Sequence, residues 1–344
     1  MSITTAPTSA KTAEPTPATT NAANDAETAT ASKQYLKLAG LILGLSTVLI
    51  LMLLSFVTPL LNSGAKDLPL AVGGPDMVTT KITQGLEAKS PDAFAVTSYS
   101  TAEEAVDAVR NREAIGAITA GPDGITIVTA SAAGTPYSAI LKQIGEGLSQ
   151  TGQPIHYTDV APLTAKDPSG SAISMLALPM IFGGMSSAVA FSTMFKKSRR
   201  KQIIGAIGVA ILGGLIASAT LYFGFGAFEA NFWLTTAIIM LGIAAISLTV
   251  LGLNSLLGFA GIGLGAVLML FVANPLSGLA TGAAWLPSPW GTLGQYLPLG
   301  AAGTAIRSSA FFDGAAMGQP VTVLVCWIVV GLGLAAAGAW RARR

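Results

Sequence analysis

From Ala230 to Ile306 the chain carries no Asp, Glu, Lys, Arg or His, and the same holds for residues 172–195 and 202–228. Long uncharged apolar runs restrict the fold more than any other feature here. In hydrocarbon every backbone polar group must find its partner inside the protein, so a spanning run of this kind has to be helical. A crossing takes about 20 predominantly apolar residues. Six stretches meet that requirement: 36–61, 172–195, 202–225, 232–251, 253–272 and 321–340. Composition agrees, with 51% hydrophobic and 10% charged residues, where a soluble domain carries about 25% charged. The expected class is an α-helical integral membrane protein with six transmembrane helices.

Basic residues orient the spans, because cytoplasmic loops retain Lys and Arg. With both termini inside, Lys11, Lys33 and Lys37, the cluster Lys196, Lys197, Arg199, Arg200 and Lys201, and Arg341, Arg343 and Arg344 are all cytoplasmic, against only Glu14, Asp25 and Glu27. The opposite side keeps eight basic and fourteen acidic residues. The turn near Asn254 carries no charge and should be tight. The first apolar run is too long for the core of a cleaved signal peptide and reads as a signal anchor. Residues 1–34, rich in Ala, Thr, Pro and Asn, read as a disordered cytoplasmic tail, followed by helix 1 over 35–62. Helices 2–6 fall in 172–344.

This topology fixes the side of an interrupted stretch, PLSGLATGAAWLPSPWGTLGQYLPLGAAGTAIRS (275–308). A single crossing would put the C-terminal arginines outside, and two crossings need about 40 apolar residues. The stretch, about 275–319 in full, must therefore either dip in and return as a re-entrant segment or lie flat at the outer surface, and it reads as short helical pieces packed at the outer mouth. Trp285, Trp290 and Tyr296 suit the headgroup layer. Gly294 reads as a position reachable from outside. Arg307 and Asp313 are the only charges between Glu229 and Arg341; they read either as a gate at the outer mouth or as an interfacial anchor.

Residues 63–171 form an extracytoplasmic α/β domain in this reading. LPLAV (68–72), FAVTSY (94–99), IGAIT (115–119), ITIVT (125–129) and IHYTDV (155–160) read as strands. Apolar periodicity predicts helices around Val78–Leu86, behind a Thr101/Glu104 capping box, and from Tyr137 to Leu148. AGPDG (120–124) is a hairpin turn, not a phosphate loop. The order βαβαββαβ implies a mixed sheet with packed helices. His156 reads as a solvated strand histidine, and Glu103 and Glu104 as charges suited to a helix N-terminus.

No arrangement resembles a catalytic site, no cofactor or metal is expected, and G-x-x-x-x-G-K-[ST] is absent. Residues 172–195, 202–228 and 230–306 hold no ionisable residue of the kind that serves a proton relay. Lone Cys326 excludes an intramolecular disulfide. Gly40–Gly44 and Gly261–Gly265 have the G-x-x-x-G spacing, and Gly183–Gly184 and Gly213–Gly214 are comparable flat spots; they serve intramolecular packing or a homodimer seam. The 196–201 cluster is either a topology determinant on anionic lipid or a docking turn.

The layout of one span, an α/β insert and five spans resembles the ABC-2 type exporter permeases, and within them the phage-infection-protein-like branch of actinobacterial membrane proteins. The similarity is carried by REAIGAITAGPDGITIVTASAAGTPYS (112–138), YTDVAPL (157–163), LTVLGLNSLLGFAGIGLGAVLMLFVANPLSG (248–278) and WLPSPWGTLGQYLPLGAAGTAIRSSAFFDG (285–314). The resemblance implies a dimeric permease that exports a hydrophobic or amphiphilic envelope compound. It implies a separate cytoplasmic ATP-binding subunit docking on Lys196–Lys201, and short re-entrant helices between helices 5 and 6. The bilayer is a partner; nucleic acid is not. The competing expectations are a non-transporting envelope receptor or scaffold acting through 63–171, and a secondary transporter.

Overall fold

The computed structural model describes residues 17–150, 152 and 154–341, with side chains from residue 33 onward. Five helices are long and apolar enough to cross a membrane, and a small mixed sheet stands between the first and second of them. The first helix, α1 (Pro17–Leu61), belongs up to Leu54 to a unit of its own. Its apolar part, Lys33–Leu61, is exposed as far as Leu54. The helix begins inside the stretch read as a disordered tail. That stretch is alanine-rich, and alanine loses least on becoming helical. Residues 1–16 of the expected tail, with Lys11, lie outside the described residues, as do Arg343 and Arg344.

The sheet has the order β2-β1-β3-β4-β5. Strands β1 (Leu68–Gly73), β2 (Phe94–Tyr99), β3 (Gly116–Gly121), β4 (Gly124–Thr129) and β5 (Ile155–Asp159) fall where alternation placed them. Pairing is parallel except for the β3–β4 hairpin, which turns at Pro122–Asp123. Helices α2 (Asp76–Lys89), α3 (Ala102–Arg110) and α4 (Thr135–Ser149) connect the strands. The capping box of α3 is made in both directions, Thr101 Oγ1 accepting from Glu104 N–H and Glu104 from Thr101 N–H, each at 3.2 Å.

The two sheet faces differ in side-chain size, and that difference decides what covers them. Leu68, Leu70, Val72, Phe94, Ile118 and Ile127 point to one face, under α2 and α4. The other presents Ala71, Ala117, Val128 and Ala130 to Ala105, Ala108 and Val109 of α3. Small side chains leave room there for Phe312, which is 7% exposed and comes from the helical half of the chain. A buried phenylalanine contributes about 1.5–3 kcal/mol, so this insertion is a substantial attachment.

The remaining helices are the single turn α5 (Ser171–Ser174), α6 (Ala177–Met194), α7 (Arg199–Ala219, extended in π geometry to Phe225), α8 (Phe232–Leu257), α9 (Phe259–Ala266, extended in π geometry to Ala273), α10 (Trp290–Gln295), α11 (Pro298–Phe311) and α12 (Gly318–Arg341). Helix α8 is the hub; α6, α7, α11 and α12 all pack on it. Backbones come close because glycine lies in the seams. A Cβ added at Gly252 would meet the Gly331 carbonyl at 2.3 Å, and one at Gly331 would meet the Leu248 carbonyl at 2.5 Å. Hydroxyl pairs join the same helices: Ser187–Ser247 at 2.7 Å, Thr236–Ser218 at 2.7 Å and Thr235–Ser309 at 3.0 Å. Such bonds average about 0.6 kcal/mol each in a membrane, so shape fit sets the arrangement and the hydroxyls fix its rotation. Gly261, Gly265, Gly184 and Gly214 all press on α8, at Leu253, Val250, Ile246 and Met240, so these flat spots are occupied within the chain.

The expected fifth span is where sequence and structure part. Helix α8 continues through Asn254 to Leu257 and turns at Gly258, whose φ of 64° is left-handed. Only eight α-helical and seven π-helical residues follow, about 22 Å at 1.5 Å per residue against a hydrocarbon core of about 30 Å. This stretch nevertheless joins opposite ends of the helical body. Gly258 lies at the end where Ser255 bonds the Ala335 carbonyl of α12. Leu279 lies at the other, where its carbonyl accepts from Ser174 of α5. The sheet domain sits at that second end, tied by Thr164 to the Gly226 carbonyl after α7; Lys196–Lys201 and Arg341 lie at the first.

Replacing Gly331 with leucine should prevent the α8–α12 approach and cost about 1–3 kcal/mol or more, seen as loss of monodisperse protein in size-exclusion chromatography. Gly333→Leu, where a side chain meets open space, should be neutral. Thr101→Ala should lower α3 stability by about 1 kcal/mol, measurable as faster amide exchange confined to α3.

Candidate functional site

The interrupted segment ends in an enclosed helix. The segment consists of a 3₁₀ turn (Ala283–Trp285), α10 and α11, and α11 is buried along nearly its whole length. Where it meets the sheet domain a cavity of about 200 Å³ opens, lined by Arg112, Tyr137, Gln295, Thr304, Arg307 and Phe312 among others. No acidic residue lines it.

Arg307 projects from α11 and is 5% exposed. Its guanidinium donates to the Ala132 carbonyl, in the 3₁₀ turn Ser131–Ala133 that follows β4, and to the Leu279 carbonyl, each at 2.6 Å, with a longer bond to Ser174 Oγ. Its Nε is buried and has no hydrogen-bond partner. Asp167 attracts it from a distance, but that carboxylate is engaged elsewhere: Oδ1 accepts from Ser171 N–H and Oδ2 from Ala172 N–H, each at 3.0 Å.

Arg112 reaches the cavity from the sheet side. Helix α3 ends in a Schellman motif, with Arg112 N–H bonded to the Val109 carbonyl and Glu113 N–H to the Ala108 carbonyl. The residue at the left-handed position of such a cap is ordinarily glycine; here it is Arg112, with φ 62°. Its guanidinium lies 4.8 Å over the Phe312 ring and donates to Ser308 Oγ at 3.2 Å and the Thr304 carbonyl at 3.4 Å. Burial, and then repulsion from Arg307, lower its pKa to about 10. Tyr137, at the start of α4, stacks edge-on against Trp285 at 6.1 Å, and burial pushes its hydroxyl up to about 12. Gln295 holds the rim, donating to the Ser277 carbonyl and accepting from Thr304 Oγ1 at 2.6 Å.

Of the residues read from sequence, Arg307 alone joins a cluster of polar groups around the cavity; Trp285 supports it through Tyr137. Trp290 and Tyr296 are exposed, and the Tyr296 carbonyl accepts from the Trp327 indole of α12. Asp313 does not pair with Arg307. It accepts from Asn231 at 2.9 Å, while Arg307 turns inward, because α11 keeps it on the face that meets Ala132. Gly294 is not an accessible position either; its Cβ would run into the Leu276 carbonyl. His156 is exposed and bonds the Asp123 carbonyl.

The basic turn is compact. Ser198 caps α7, Arg199 donates to Gln202 Oε1 at 2.8 Å, and buried Gln202 returns to the Phe195 carbonyl at 2.8 Å. Lys196, Lys197, Arg200 and Lys201 remain exposed. A second, larger hollow of about 660 Å³ lies between α2 and α4, lined by Val78, Ile82, Leu86, Ile140, Ile144 and Leu148 with Lys81 and Lys89.

Sequence reasoning missed Arg112 and Tyr137. The signal for Arg112 was its place two residues past the end of α3, where a glycine is expected. The tyrosine's elevated pKa gives a measurable sign. Its contribution to stability is complete below about pH 10 and is lost as pH rises through about 12, whereas Arg112, with a lowered pKa, gains in the same direction. Tyr137→Phe should therefore remove the late phenolate transition near pH 12 from an absorbance titration and flatten the alkaline loss of stability between pH 10 and 12. No family model matches the chain, and no curated protein or solved structure shows significant similarity to it.

Proposed function

We propose that the chain is the membrane (permease) subunit of an ABC-type exporter, moving a lipid-like or amphiphilic envelope compound with energy from a separate cytoplasmic ATP-binding subunit. The observation that carries this reading is the attachment of the sheet domain to the interrupted segment. Phe312 enters the sheet's small-residue face, and Arg112 and Arg307 bond across the same seam. A domain fixed in this way moves when α11 moves, as a transport cycle requires; a tethered recognition domain would not need it.

In this reading the protein is a multi-pass plasma-membrane protein with both termini cytoplasmic. Exposed basic residues of the 196–201 turn and Arg341 mark the cytoplasmic end, and the sheet domain is extracytoplasmic. The Gly258–Leu279 stretch serves as a short sixth crossing. Mismatch costs fractions of a kcal/mol per Å, so a deficit of about 8 Å is tolerable, particularly with α8 alongside. The segment from 283 to 311 is then re-entrant at the outer mouth, its non-helical backbone sheltered by protein as membrane depth demands. The bare hydrocarbon-like spans offer no proton relay, which favours an energy source in a partner. The exposed Lys196, Lys197, Arg200 and Lys201 are the docking surface for that partner.

The hollow between α2 and α4 supports a second reading, a receptor or scaffold that holds a partner there. The two separate on one variant. Phe312→Ala should abolish ATP-dependent efflux from reconstituted vesicles while leaving the folded sheet domain and any bound partner in place; unchanged efflux, or no co-purifying ATPase with the tagged chain, removes the exporter reading. In a Cys326→Ser background, Trp290→Cys should react with an impermeant thiol reagent from outside intact cells and Lys197→Cys only after permeabilisation.

A further inference from the structure

We propose that the cavity between Arg112 and Arg307 is a binding site for one oxyanion group, a phosphate or carboxylate, presented by a small molecule or by the head of an acidic amphiphile. This goes beyond the export reading and stands whether or not the chain moves anything.

Four observations converge on the cavity. Two guanidinium groups share it and no acidic side chain lines it. Among the described residues the only ion pair is Arg110–Asp107, on the exposed surface of α3, so neither cavity arginine has a carboxylate partner within bonding distance. A buried charge without a counter-charge is strongly unfavourable, and proteins ordinarily pair it or bind an ion. Second, the charge compensation that is present is incomplete. Arg307 satisfies its two terminal nitrogens on carbonyls, but its buried Nε has no acceptor. Arg112 has hydrogen bonds of 3.2 and 3.4 Å to neutral groups and the face of the Phe312 ring, and no anion.

Third, Arg112 occupies a left-handed position at φ 62°, a conformation unfavourable for a residue with a side chain and most frequent at functional sites. A glycine would complete the same cap without strain. Fourth, Tyr137 lines the same cavity and brings a phenol hydroxyl, an O–H donor, beside the two guanidinium groups. Guanidinium groups match the planar, bidentate geometry of carboxylate and phosphate. At about 200 Å³ the cavity is smaller than the roughly 300–1,000 Å³ of sites that take a drug-sized molecule. It takes a head group and no more.

The test uses the full chain in nanodiscs of zwitterionic phosphatidylcholine, which has no net charge, with binding read by calorimetry and by the shift in Tm. Three probes are titrated: inorganic phosphate, acetate, and water-soluble dihexanoyl phosphatidic acid. Saturable binding of at least one, with a rise in Tm, is expected. Tighter binding of the phosphatidic acid than of phosphate marks a lipid head as the source; equal affinity marks a free oxyanion.

Arg112→Gly is the deciding variant, because it should fold. Relieved of backbone strain and of the buried like charge, it should melt higher than the parent without ligand, yet lose at least tenfold in affinity. Arg307→Lys should fall in affinity as well, through loss of the planar fork. The proposal is overturned if none of the probes binds at millimolar concentration, or if Arg112→Gly binds as well as the parent. A lower melting temperature for Arg112→Gly with affinity unchanged would show a structural arginine and overturn it equally.

Discussion

Arg307 is the interaction on which the two halves of the larger unit depend. Its two 2.6 Å bonds run in different directions, one to Ala132 in the sheet domain and one to Leu279 in the loop leaving the α9 stretch. Main-chain carbonyls are fixed points, so an arginine that bonds two of them fixes three segments at once. Ser174, at the entrance to α6, is brought into the same set. Remove the guanidinium and the Ala132 and Leu279 carbonyls lose a charged donor in a region where little else replaces it. Phe312, five residues on, adds an apolar lock to the same seam.

The rest of the helical body follows from α8 being uncharged and small-residued on several sides. A helix of this kind cannot be oriented by ion pairs. It is oriented by where neighbours approach closest, and the approach at Gly252 and Gly331 leaves no space for a side chain on either helix. Hydroxyl pairs then choose the rotation, since a buried serine with no partner is worse than one facing another serine. This explains why the four seams around α8 carry Ser, Thr and Gly where a soluble bundle would carry Leu.

Much of this was legible in the sequence, and the failures have physical causes. Strands with period-2 alternation, and a helix start marked by Thr101 and Glu104, declare themselves locally, so all five strands and three helices of the sheet domain were readable. The α8–α9 boundary was not, because Asn254 and Gly258 are both plausible turn residues within one apolar run. Only packing against α12 shows that the helix continues past Asn254. Arg307 was visible as a rare charge, but its direction was not: a charge near a membrane mouth is read as facing water until the partner carbonyls are known. Arg112 was hidden more deeply. Its burial comes from contact with α11, nearly two hundred residues away, and no local pattern reports such contacts.

The placement of two unpaired guanidiniums at this seam has a consequence for how the protein can respond to a ligand. The cavity brings two guanidinium groups together in a poorly solvated space; burial first, and then the charge of Arg307, lower the pKa of Arg112. The seam is therefore strained exactly where the sheet domain and α11 meet. A bound anion reverses the sign of that interaction, drawing Arg112 of the sheet domain and Arg307 of α11 toward one centre. A ligand shifts an equilibrium only by its differential affinity for two states; on the proposed oxyanion reading, an anion held between Arg112 and Arg307 would favour the arrangement that keeps them together. The seam bears in turn on the bundle, because α11 is packed directly on α8, the helix around which the bundle is arranged.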